Sequence, residues 1–264
     1  MLKLDTSMTK ICSQPGILSC ILGLVLATAG ASAKDLSDTS LEEVLQAILE
    51  ANGGKETVEG LTNVRLLGEL IQDGESSEFV ILKKRPNKAR MRIFMPNGSI
   101  ESGFNGSIGW RRHERGGHDK VIPMDESNLA AARRYADFDG PLVGPVPEGM
   151  TRKLVGVERI DRVDYFVIEV IYPDSKSLHY IDSRTYRERK SISTVTDDKG
   201  QVSEVVSHYS DLKKHAGIWL SHHLERKSSN GSTETILVHQ VDMNPGILDM
   251  VFEMPKERNP IPEN

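Results

Sequence analysis

Beyond residue 20 the sequence has no cysteine: Cys12 and Cys20 are the only two in 264 residues. The remaining chain therefore offers no thiol for a disulfide, for a thiolate zinc ligand or for a cysteine nucleophile. Positive charge is also scarce, with 33 Lys+Arg against 38 Asp+Glu and a formal net charge of -5. That balance excludes a nucleic-acid binder acting by phosphate neutralisation over its whole surface. Aromatic residues make up only 5%, so an apolar interior must be built mainly from Leu, Val, Ile and Met. G-x-S-x-G, Walker, H-E-x-x-H and Rossmann signatures are all absent, and nothing in the sequence calls for a cofactor or a metal. What remains is 38% hydrophobic, enough for one or two globular domains and too much for a chain disordered throughout.

The N-terminus reads as an export signal. Lys3 and Lys10 lead into Ile17 to Ala29, an uncharged apolar run, and Ala31-Ser32-Ala33 supplies small residues before Lys34 and Asp35. A weakly basic lead, a short apolar helix and small side chains for the peptidase predict cleavage after Ala33. The alternatives are a retained anchor, for which the run falls short of the roughly 20 residues a span requires, and lipidation at Cys20, which lies inside the apolar run rather than after it. Residues 1–33 are thus expected to be a signal peptide and 34–264 one domain. Removing two lysines and one aspartate leaves 31 basic (33 minus 2) and 37 acidic (38 minus 1) residues, still acidic.

Within 34–264 the periodicity changes once near the start. Leu41, Val44, Leu45, Ile48 and Leu49 recur at helical spacing, Ser40 can cap with Glu43 three residues on, and Asn52-Gly53-Gly54 ends the run. From Thr62 the period is two, with turn signals at Asp73-Gly74, Pro86-Asn87, Pro96-Asn97-Gly98 and Asn105-Gly106, predicting a meander of short antiparallel strands. DESNLAAARRYADF interrupts it with a helix over 125–138, capped by Asp125 or Ser127. Further strands are expected at about 153–159, 163–171, 178–182, 186–194, 202–209, 218–226 and 233–241, with a hairpin at Asp197-Asp198-Lys199-Gly200. The total is roughly eleven or twelve strands, which suits one barrel or curled sheet. Neighbouring His222 and His223 point to opposite strand faces and cannot share a metal, so they read as solvated histidines.

Lys84-Arg85-Pro86-Asn87, Asn105-Gly106 and Trp110 stand in an order that resembles the early strands of the LolA-like outer-membrane lipoprotein-sorting proteins. ADFDGPLV at 136–143, YIDSRTYRERK at 180–190, HYSDLKKHAGIWLSHHLE at 208–225 and the ending VDMNPGILDMVFEMP extend the resemblance from about Leu41 to Pro255. It implies an α+β, mainly β fold: a strongly curved antiparallel half-barrel, unclosed, wrapped over the N-terminal helix and an inserted lid helix. It also implies an apolar cavity that shields acyl chains of lipoproteins or lipids, and a lid latch at Arg85 bonding backbone groups of helix 125–138. The plain alternative for Arg85 is a surface arginine at a strand end. A further resemblance, to the lipid-binding domain of the sigma-E regulator, implies sensing rather than carriage.

Strand parity then nominates the cavity lining: Leu66, Val80, Leu82, Met91, Ile93, Trp110, Leu129, Phe166, Ile168 and Val170. The expected protein is a periplasmic, cofactor-free, non-catalytic monomer that carries lipid or lipoprotein acyl chains toward the outer membrane. Inner- and outer-membrane transport partners are implied and nucleic acid is not. The alternatives are an envelope sensor of lipidated or misfolded proteins and a hydrolase, which would need a nucleophile–base pair brought together only by tertiary structure.

Overall fold

Ser40 starts the first helix as the sequence requires: its hydroxyl accepts the Glu43 N–H at 3.2 Å while the Glu43 carboxylate accepts the Ser40 N–H at 2.7 Å. This capping box satisfies two backbone donors that the first turn would otherwise leave open. The computed structural model describes residues 36–196 and 202–257. The expected cleavage site and the Asp197-Asp198-Lys199-Gly200 turn lie outside the described residues.

Helix α1 (Leu41–Ala51) is followed, through left-handed Gly53, by a short α2 (Gly54–Gly60) that the sequence does not announce. A first meander comprises β1 (Asn63–Gln72), β2 (Glu75–Lys84), β3 (Lys88–Met95), β4 (Gly98–Phe104), β5 (Gly109–Arg115) and β6 (His118–Pro123), each pairing antiparallel with the next. Helices α3 (Glu126–Ala136) and α4 (Gly140–Val143) intervene. A second meander runs through β7 (Thr151–Ile160), β8 (Val163–Tyr172), β9 (Ser175–Asp182), β10 (Glu188–Thr196), β11 (Val202–His215), β12 (Ile218–Ser228) and β13 (Thr233–Met243). The strand order is β6-β5-β4-β3-β2-β1-β13-β12-β11-β10-β9-β8-β7, an antiparallel sheet that does not close. The thirteen strands among the described residues exceed the eleven or twelve expected because β6 follows Gly116-Gly117 and carries only short apolar content, so it reads as loop.

The chain falls into two compact units, the boundary lying inside β13. Of the described residues, one contains Thr62–Phe138 and the chain from Leu237 to Glu257; the other contains Leu36–Leu61 and those between Asp139 and Ile236. In the first unit α3 packs on β3, β4 and β5, with Ala132 and Ala136 against Ala89 and Phe104. Small residues on both sides let helix and sheet approach closely. At the start of β5 the approach demands glycine: a Cβ on Gly109 would stand 2.7 Å from Met124 Sδ and 3.0 Å from a Leu129 methyl.

In the second unit Val44 and Ile48 of α1 join Leu142, Met150, Phe166, Ile168, Val170 and Ile181 in a buried cluster. The β8 residues of this cluster alternate, as one buried strand face must. Phe166 stacks on Tyr186 with ring centroids 6.0 Å apart. Each large apolar side chain so buried contributes about 1.5–3 kcal/mol.

Candidate functional site

In the first unit cross-strand register defines which side chains share the face that α3 covers. Leu66 lies opposite Ile81, and Ile81 opposite Met91; Phe79 lies opposite Ile93. These five are all buried, and Ala89 and Phe104 continue the same face beneath α3. Leu129, partly buried, packs into the α3 cluster.

Val80, Leu82 and Trp110 occupy the opposite face. Leu82 pairs with Arg90, Arg90 with Gly103, and Gly103 with Trp110, each one residue out of step with the Ala89–Phe104 line. The expected parity of β2 is therefore inverted. The physical reason is that Phe79-Val80-Ile81-Leu82 is apolar on both faces, so alternation alone cannot orient it. Trp110, fully buried, lies over Gly103, where a Cβ would come within 2.4 Å of the indole. Its Nε1–H donates to the Phe252 carbonyl at 3.0 Å, which fastens the C-terminal segment to this outer face. Around it stands an ion-pair network: Arg90 binds Glu101 at 2.7 Å and Arg112 grips Asp119 through two 2.8 Å bonds. The Asp119 hydrogen bonds push the Arg112 guanidinium further toward its protonated form, burial opposing them in part.

Both ends of α3 are tied to the sheet by polar contacts. At the N-terminus Asp125 is the cap, accepting the Asn128 N–H at 2.9 Å, and an Arg111 guanidinium nitrogen donates to the Asn128 side chain. At the C-terminus buried Lys83 donates from Nζ to the Asp137 carbonyl at 2.8 Å and lies 5.2 Å from the Tyr135 ring centroid. A cation here also meets the negative end of the helix dipole. Arg85 stacks its guanidinium over Phe138, 4.7 Å from the ring centroid, while the Phe138 N–H donates to the Pro86 carbonyl at 3.3 Å. Arg85 thus lies against a residue two places past the C-terminal end of α3. Lys83 is the residue that sequence reasoning missed; counting by twos from Phe79 would have placed it on the inward face.

Phe166, Ile168 and Val170 belong to the buried cluster of the second unit. The expected ten lining residues are therefore distributed as three on the α3-covered face of the first unit, Leu129 on α3 itself, three on the other face and three in the second unit.

The histidines of β11 and β12 correct the solvated reading. His222 is buried and stacks on His215, with ring centroids 5.0 Å apart and the two Nε2 atoms at 2.8 Å, whereas His223 points the other way. Burial, then the neighbouring His222 and Lys213 charges, hold His215 below the usual imidazole range. Among the described residues no three His, Cys, Asp or Glu side chains come together as a metal site. No helix among them is long and apolar enough to cross a membrane.

No family model and no curated protein matches the sequence. Solved structures do match. A DUF1329 family protein from Desulfovibrio piger superposes with a TM-score of 0.54 at 13% identity, covering 75% of this chain and 92% of that one. A LolA superfamily protein from Nitrosomonas europaea gives 0.54 at 14% identity, covering 81% of this chain and 98% of that one. An outer membrane lipoprotein-sorting protein domain from Vibrio parahaemolyticus gives 0.49 at 17% identity over 82% and 97% of the two chains. At such identities the likeness is one of architecture, and the architecture of this chain is a LolA-like fold.

Proposed function

We infer that the protein binds the acyl chains of lipids or lipoproteins against the α3-covered face of the first unit and passes them across the periplasm between membrane-bound partners. The observation that carries this reading is the way α3 is held. Its contact with the sheet runs through small side chains, and its ends are held by hydrogen bonds from Lys83 and Arg111 that water can replace and by Arg85 stacked on Phe138. Lifting such a helix exposes a broad aliphatic face at modest cost. Leu66, Phe79, Ile81, Met91, Ile93 and Leu129 are the side chains an acyl chain would meet there. Phe166, Ile168 and Val170 are proposed to make apolar contacts within the second unit. Ten buried methylenes would supply about 8 kcal/mol, the free energy of a roughly micromolar complex before ordering costs. The LolA-like fold and the signal-like N-terminus support the periplasmic setting, and the reading asks for no bond chemistry.

Native mass spectrometry of the protein purified from its own envelope tests the proposal. A co-purified lipid or lipoprotein, with loading reduced by Leu129→Asp, is the expected result. Protein that carries no lipid and fails to take up a fluorescent fatty acid would overturn it, and a stoichiometric protein partner without lipid would replace carriage by sensing.

A further inference from the structure

The second unit holds a side-chain arrangement that acyl-chain binding does not use. Ser177 and His179 lie two residues apart on β9, so they share one face of the strand. Glu188 opens β10, where the register shifts between Glu188 and Lys190, and lies opposite Ile181. Ser177 Oγ is 2.8 Å from His179 Nε2, and His179 Nδ1 is 2.7 Å from Glu188 Oε1. His179 and Glu188 are buried, their side chains each 6% exposed, while Ser177 is only partly covered.

The directions of these bonds follow from the groups. An ionised carboxylate can only accept, so the hydrogen on the imidazole sits on Nδ1 and the Nε2 lone pair faces the Ser177 hydroxyl. The serine therefore donates to a base whose tautomer is fixed from behind, the arrangement that activates a hydroxyl nucleophile. Its flanks are apolar on one side: Val170 lies opposite Ser177 and Ile168 opposite His179 on β8, both fully buried. On the other side Ser193 of β10 faces Ser177.

We propose that Ser177 is a nucleophile toward carboxylic esters of apolar acids, with His179 as its general base and Glu188 as the positioning residue. Ser177 Oγ bonds to the ester carbonyl carbon as its proton passes to His179 Nε2, and the carbonyl π pair moves onto oxygen. Collapse of this intermediate breaks the bond to the alkoxy oxygen, which takes the proton from Nε2 and leaves as an alcohol. Water then attacks the acyl-serine, giving its proton to Nε2. The second collapse releases the carboxylic acid and returns the proton to Ser177. Overall, ester and water become acid and alcohol, and no other reactant is consumed.

The site is tested by incubating the exported, processed protein with an alkyl fluorophosphonate, which phosphonylates an activated serine with loss of fluoride. The expected result is one adduct on the peptide that contains Ser177, absent in Ser177→Ala. That substitution removes one hydroxyl, and an unchanged circular-dichroism melt verifies its fold. His179→Ala should slow labelling by about 10²- to 10⁴-fold, and added imidazole should restore part of the rate, a rescue that a purely structural histidine would not give. Glu188→Gln should also slow labelling, with Glu188→Asp recovering part of it. Folded native protein that stays unlabelled, or an adduct that persists in Ser177→Ala, would overturn the assignment. The outcome is separable from that of acyl-chain carriage, because labelling at Ser177 in a protein that never holds lipid would sustain this inference and end the other.

Discussion

Replacing Lys83 by methionine should release the C-terminal end of α3 while leaving the sheet intact. Methionine keeps the apolar stem that Lys83 buries and removes only the ammonium head, with its 2.8 Å bond to the Asp137 carbonyl and its position over Tyr135. A hydrogen bond from a charged donor is worth about 1.5–3 kcal/mol net. At 1.4 kcal/mol per decade, the equilibrium for lifting the helix should shift by roughly 10- to 150-fold. Native-state hydrogen exchange reads that shift directly, because amides of α3 exchange through local opening. The Lys83→Met protein should show faster exchange at 129–137 by that factor and unchanged exchange in β1 to β3. Lys84→Met is the control: Lys84 faces away from α3 and bonds the Ile247 carbonyl at 2.7 Å and Asp249 at 2.8 Å. Exchange at α3 that stays within about twofold of native in Lys83→Met, or that rises equally in Lys84→Met, would refute the reasoning.

Two further outcomes follow from the second unit. Arg226 and Glu234 form an ion pair at 3.0 Å with side chains only 3% and 6% exposed, so Arg226→Met should cost about 3–5 kcal/mol by stranding the carboxylate, and Arg226→Met with Glu234→Met should recover most of it in urea unfolding. His215 is held below the usual imidazole range by burial first, then by His222 and Lys213, so the unfolded chain takes up its proton before the folded one does. Its contribution is therefore full above about pH 6.5 and is lost as the pH falls through that value toward the folded one. Urea midpoints at pH 7.5 and 5.5 should differ more for the native protein than for His215→Phe, and equal differences would contradict the assignment.

Much of the architecture is written locally. The Ser40 and Glu43 pair, the leucine and isoleucine spacing of α1, and the Asp125 cap of α3 are nearest-neighbour signals, and the helices start where those signals stand. Which way a strand faces is a different matter. Along β2 both Val80 and Ile81 are apolar, and only pairing with β1 and β3 decides that Ile81 goes inward with a lysine two residues on. Trp110 fails for the same reason, since its partner is a glycine on the next strand and its hydrogen-bond acceptor lies 142 residues away. His179 and Glu188 belong to neighbouring strands whose register is shifted by an irregularity, so no spacing rule would have joined them. His215 and His222 meet although the β11–β12 register pairs His215 with Ile218, so counting along the hairpin would not have joined them.

A sheet that does not close has two outer strands, and each could template another molecule of the same kind. On β7 the exposed Val155 and Val157 would favour such stacking, yet Arg152, Lys153, Glu158 and Arg159 bracket them and the register breaks between Leu154 and Gly156. The β6 rim ends at Pro123, which has no N–H to offer, and carries Asp119 and Lys120. Charge, a bulge and a proline thus stand as guards against fibre-like growth at the two rims of the sheet.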